Sequence, residues 1–66
     1  MPSTAIKHFY YDESSQILLI TFITNLTYRY KEVPQKVYQM LKAAGSKGRY
    51  FNYHIKGNFE YELVDE

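Results

Sequence analysis

Gln16-Ile17-Leu18-Leu19-Ile20-Thr21-Phe22-Ile23-Thr24-Asn25-Leu26-Thr27-Tyr28-Arg29-Tyr30-Lys31 reads as two strands and the turn that joins them. β-Branched and aromatic residues dominate both halves, over lengths suited to strands and too short for helices. Where the turn falls decides where every side chain points, because a slip of one residue moves a whole strand's side chains to the other face. A two-residue loop at Thr24-Asn25 would set Tyr28 and Tyr30 beside Thr21 and Leu19. A three-residue loop, Ile23-Thr24-Asn25, puts Asn25 in the left-handed position of a bulged turn, which Asn accepts better than other non-glycine residues. Leu26, Tyr28 and Tyr30 then share a face with Phe22, Ile20 and Leu18. This second register is the favoured one because it gathers a single apolar face.

Either register leaves a surplus of apolar side chains. Ile17, Leu19 and Ile23 lie opposite Leu18, Ile20 and Phe22, so the strand is apolar on both sides. Helices in so short a chain cover one side only. The other side is expected to be covered by the tail or by another copy, or to stay partly exposed as an interaction surface.

Upstream, Ser3 to Tyr11 is rich in strand formers, and Asp12-Glu13-Ser14-Ser15 is a turn cluster whose side chains compete for backbone hydrogen bonds. Three strands with short connections predict an antiparallel meander. Downstream, Val33-Pro34 ends the sheet, with Pro34 suited to the first turn of a helix. Val37, Met40, Leu41 and Ala44 recur at helical spacing with Tyr38 alongside. Gly45 is expected as the left-handed terminator, and Ser46 as the cap of a second helix, Lys47 to Lys56, that Gly57 ends. On that helix Gly48, Phe51, Asn52 and Ile55 form the expected inward stripe. Arg49, Tyr53 and Lys56 face out, flanked by Lys47, Tyr50 and His54. Phe59, Tyr61 and Leu63 alternate with Glu60 and Glu62, so residues 59–66 form an acidic tail with the pattern of a short fourth strand.

The 66 residues leave room for one domain and one core. With no Cys there is neither a disulfide nor a thiolate site, and His8 and His54 stand at no metal-binding spacing. Eight Tyr and four Phe supply the apolar area instead. The longest apolar run is too short to cross a bilayer, and Met1-Pro2-Ser3-Thr4 has no signal-peptide pattern. The expectation is a soluble, cytoplasmic α+β domain, residues 1–66, needing no cofactor. No Ser-His-Asp set, carboxylate pair or metal cluster assembles, so catalysis is not expected.

Charge is unevenly spread. From Gln35 to Asn58 the chain carries Lys36, Lys42, Lys47, Arg49 and Lys56 with no acidic residue, and Glu60, Glu62, Asp65 and Glu66 follow. A basic helical half suits a polyanion, although charged solvated faces also serve solubility. Ser46-Lys47-Gly48-Arg49 reads either as a capped helix start with Gly48 admitting close packing, or as an anion site. Its glycine spacing is not that of a nucleotide-binding phosphate loop. Tyr28 and Tyr30 read either as base-stacking platforms or as core residues, and Arg29 points the other way.

The order of elements, Tyr28-Arg29-Tyr30, Val33-Pro34, Tyr38 and above all Ser46-Lys47-Gly48-Arg49-Tyr50-Phe51-Asn52-Tyr53-His54-Ile55-Lys56-Gly57 resemble the KTSC domain. That family is named after a segment at the C-terminus of some lysyl-tRNA synthetases and also occurs as small stand-alone bacterial proteins. The resemblance runs from Ser3 to about Tyr61. It departs where Thr24-Asn25 replaces a glycine turn, and where Leu19, Ile23 and Leu26 replace polar or basic residues. The synthetase association implies RNA binding, for which Arg29, Lys42, Ser46, Lys47, Gly48, Arg49, Tyr53 and Lys56 are the candidate residues. The competing expectation is a protein-interaction module or homodimer built on the apolar outer face of the second strand.

Overall fold

The computed structural model describes residues 5–64. Four strands, β1 (Ile6–Asp12), β2 (Ile17–Phe22), β3 (Thr27–Tyr30) and β4 (Tyr61–Val64), lie side by side in chain order and all pair antiparallel. Two helical segments sit between β3 and β4: α1 (Gln35–Ala43) and α2 (Lys47–Tyr50), the latter running on as a π-helical turn, Phe51–Ile55. This is the expected meander with helices on one face, and the alternating tail supplies the fourth strand. Ser3, Thr4, Asp65 and Glu66 fall outside the described residues.

The hairpin adopts the three-residue loop. Leu18 pairs with Tyr30 and Ile20 with Tyr28. The Phe22 amide donates to Leu26 at 2.9 Å, and Asn25 takes φ 70°. The Lys7 ammonium reaches across to the Asn25 side-chain oxygen at 2.8 Å. β1 keeps its own apolar residues on the same face by a bulge. Phe9 and Tyr11 oppose Ile20 and Leu18, and a register shift between Ile6 and His8 returns Ile6 to the inner side, opposite Phe22. Without that extra residue, strand alternation would turn Ile6 outward.

The inner face and the helices enclose one core: Leu18, Ile20, Phe22, Tyr30, Val33, Leu41, Phe51 and Ile55. α1 covers the β1 end. Tyr38 stacks on Tyr11 with ring centroids 4.7 Å apart and meets Phe9 edge-on at 6.0 Å. The Tyr11 hydroxyl donates to the Val33 carbonyl at 2.6 Å, tying β1 to the segment that leads into α1. Because Tyr38 takes the sheet contact, the inward stripe is Val37, Tyr38 and Leu41, and Met40, expected inside, is exposed.

Three local expectations are corrected. Pro34 precedes α1 in extended conformation (φ −64°, ψ 150°) and caps it with its carbonyl, one position earlier than expected. Gly45 is not left-handed: α1 ends in an extended Ala44 (φ −67°, ψ 139°) whose amide donates to Leu41, and the chain enters α2 within two residues. Asn52 is exposed, because the second helix widens at its centre. The Lys56 amide bonds five residues back to Phe51 at 2.8 Å, the π pattern, which puts residues five apart on one face. Tyr50, Phe51 and Ile55 therefore turn inward and Asn52 turns out. Gly57 closes the turn with φ 81°, as expected of a left-handed terminator.

Candidate nucleic-acid interface

The start of α2 is a closed cap. Ser46 is extended, and its hydroxyl accepts from the Arg49 amide at 3.3 Å. The Lys47 ammonium folds back onto the Ala44 carbonyl at 3.3 Å, where it serves the end of α1. Gly48 is half-buried between them, and Arg49 is exposed.

The other candidate residues are dispersed. Lys42 lies over the Tyr38 ring, 5.4 Å from its centroid, at the β1 end of the helical layer. Tyr53 is 72% exposed. Lys56 stands at the opposite end, beside Gly57. Arg29 is on the face away from the helices, opposite Glu62 in the β3–β4 register, and the two form an ion pair. Lys31 adds a second contact to Glu62 at 3.6 Å. The hydrogen bond from Arg29, followed by the Lys31 charge, holds the Glu62 carboxyl below its ordinary range. The structure thus keeps Ser46, Lys47, Gly48 and Arg49 together, places Lys42 and Lys56 at opposite ends of the same layer, and removes Arg29 from the group.

Among the described residues nothing folds across the outer sheet face, because β4 extends the sheet instead. Across its middle run Tyr10, Leu19, Arg29 and Glu62, and beside them the Thr21 and Thr27 hydroxyls bond to one another at 2.8 Å. Apolar and polar side chains are mixed within each row.

A second opening lies on the inner face, where the helical layer stops short of β4. A groove of 430 Å³ is lined by Phe22, Thr24, Leu26, Tyr28, Tyr30, Phe51, Lys56, Gly57 and Tyr61. Five of these nine residues are aromatic. Their rings interlock edge to face or tilted: Phe22 on Tyr28 at 5.8 Å, Phe22 on Phe51 at 5.2 Å, Tyr28 on Tyr61 at 5.6 Å and Tyr30 on Tyr61 at 5.4 Å. Tyr30 as a whole is only 4% exposed, but its hydroxyl, with no hydrogen-bond partner among the described residues, reaches the accessible surface. Burial, with the neighbouring Tyr61 and Tyr28, pushes that hydroxyl up to about 12. Sequence reasoning found Tyr28, Tyr30 and Lys56 but not the groove. The signal for Tyr61 was its alternation in the tail, which places it on Tyr30 only once β4 is known to pair with β3.

Among the described residues the only ion pairs are those of Arg29 and Lys31 with Glu62. The five cations of residues 35–58 therefore have no acidic partner there, and the net positive field belongs to the helical layer and the groove rim. No helix among the described residues is long and apolar enough to cross a membrane.

A family model for the KTSC domain matches residues 2–59. The chain is 42% identical over 61 residues to a lysine–tRNA ligase of Nostoc punctiforme, matching 92% of this chain. It spans about a tenth of the length of the ligases it matches (11% of that one). A protein of Tsukamurella paurometabola is 44% identical over 57 residues, covering 86% of this chain and 85% of its own. The crystal structure of a KTSC domain protein from Yersinia pestis superposes with a TM-score of 0.90 at 35% identity, covering 98% of this chain and 92% of that one.

Proposed function

We propose that this chain, which belongs to the KTSC domain family, is a small RNA-binding module whose helical layer meets the phosphate backbone. The observation that carries the reading is the charge partition. Glu62 pairs with the sheet cations Arg29 and Lys31, and among the described residues Lys36, Lys42, Lys47, Arg49 and Lys56 are left without acidic partners. A one-signed surface of this kind draws a polyanion and releases its counterions on binding. RNA is the polyanion favoured, because lysine–tRNA ligases, by their name, act on tRNA and contain a stretch similar to this chain. The role assigned is binding, with no reaction of its own.

The test is a titration of a short labelled single-stranded RNA by fluorescence anisotropy at low salt, repeated as salt rises. With three to five phosphates contacted, log K falls against log salt with a slope of about −2 to −3.5. The double substitution Lys47→Glu with Arg49→Glu is expected to abolish binding while leaving the circular dichroism spectrum unchanged. An anisotropy that stays flat at low salt with the unaltered protein ends this reading.

A further inference from the structure

We infer that the groove between the β3–β4 end of the sheet and the π turn is a pocket for an unpaired nucleobase, so that the module takes single-stranded and not duplex RNA; this rests on the RNA-binding reading above. Three observations converge on a heteroaromatic ring as the occupant. The walls are aromatic: Phe22, Tyr28, Tyr30, Phe51 and Tyr61 contribute rings, and Leu26 is the one aliphatic side chain among the lining residues. Stacking on such rings is tolerant of base identity and needs the base to be out of a duplex. At 430 Å³ the groove falls in the usual range for small-ligand sites, about 300–1,000 Å³.

The second observation is polar. Tyr30 lines the groove with its ring sealed in the core, and its hydroxyl, without a partner among the described residues, reaches the accessible surface. A hydroxyl free at the surface can donate to or accept from the ring nitrogens and exocyclic groups of a base, which an aliphatic chain lacks. The third is charge. The lining holds Lys56 and no carboxylate, so an anionic ligand is favoured and a cationic one is not. Lys56 and the exposed backbone of Gly57 are placed to take the phosphate attached to a seated base, in continuity with the cationic layer. A base with its phosphate satisfies all three features at once. An apolar peptide leaves the hydroxyl and the lysine unused.

The experiment is an NMR titration of the full chain that follows the aromatic ring signals of Tyr28 and Tyr61 and the amides of Arg49 and Gly57. Four probes are added in turn: single-stranded RNA, the same sequence as a duplex, inorganic polyphosphate, and a nucleoside monophosphate. Single-stranded RNA is expected to move the ring signals and both amides, whereas polyphosphate moves Arg49 and leaves the rings in place. Tyr61→Ala should weaken single-stranded RNA about tenfold and polyphosphate not at all. Tyr30→Phe, which removes one oxygen, should weaken it about threefold to tenfold.

Single-stranded RNA that binds without moving the rings, or a Tyr61→Ala loss equal for RNA and polyphosphate, overturns the groove assignment and leaves RNA binding standing. Ring signals that move with the monophosphate, when RNA fails to bind, support the base pocket and remove the RNA reading. Ring shifts that depend on protein concentration alone assign the groove to a second copy and overturn the proposal.

Discussion

At one end of the sheet's inner face Tyr11 is stacked on Tyr38 and its hydroxyl is bonded to the Val33 carbonyl. At the other end Tyr28, Tyr30 and Tyr61 lean on one another, and their hydroxyls have no bonded partner among the described residues. The same residue type, on the same face, is structural at one end and available at the other. The difference is what lies above. α1 closes the β1 end, and the π turn stops over β3, leaving β4 bare. A small core built on tyrosine carries its polar atoms with it. Whether those atoms become tethers or a binding surface depends on the extent of the helical layer.

The largest expected effect comes from breaking the covered end. Leu41 is fully buried, and Leu41→Ala should cost about 2–5 kcal/mol, a large share of what a domain of this size has. Tyr61→Ala, at the open end and 57% exposed, should cost less than about 1 kcal/mol in the same urea denaturation. Equal costs would show that the two ends are packed alike.

A finer comparison uses the hydroxyls themselves. Tyr11→Phe strands the Val33 carbonyl and should destabilise by about 1–3 kcal/mol, whereas Tyr30→Phe should change stability little at neutral pH. Alkaline titration separates them further. Tyr30 is raised from 10.0 to about 12 in the fold, so its neutral form is the one the fold favours. That contribution is fully present below pH 10 and is lost as pH rises through about 12. Unfolding midpoints across this window should fall less steeply in Tyr30→Phe than in the unaltered protein.

The smallest effect concerns the ion pairs behind the groove. Glu62 titrates below its ordinary value, so its contribution is full above about pH 4.5 and fades as pH drops through the lowered value. Both partners are well exposed, so the change in global stability should be slight. Amide hydrogen exchange is the sensitive measure. Glu62→Gln should lower the protection factors of β4 at neutral pH to those the unaltered protein shows in acid, with β2 unaffected.

Much of the fold was legible in short stretches. The hairpin register followed from alternation and from one asparagine, because pairing register and turn geometry are local problems with few solutions. Ser46 as a cap and Gly57 as a terminator followed from backbone chemistry of the same local kind. Met40, Gly45 and Asn52 were misplaced where local rules met packing. Tyr38 stacked on Tyr11 and set the roll of α1, and a π turn re-aimed the residues after Tyr50. Helical periodicity assumes a uniform helix and carries no sign of either event.

The candidate site was legible only in part. The cationic run from Gln35 to Asn58 stands in the composition. Its dispersal, with Arg29 withdrawn to pair Glu62, does not, because that pair spans 33 residues and exists only when β4 lies beside β3.

The amino-acid order by itself determined the strands, the turn at Asn25, the tyrosines' shared face and the sign of the helical charge, all consequences of side-chain period and backbone preference within a few residues. Tertiary structure alone decided which tyrosines would be sealed and which would line an opening. The groove is assembled from residues 22–30, 51–57 and 61, and its existence depends on where the helical layer ends relative to a strand that joins the sheet last in the chain. No local rule contains that distance.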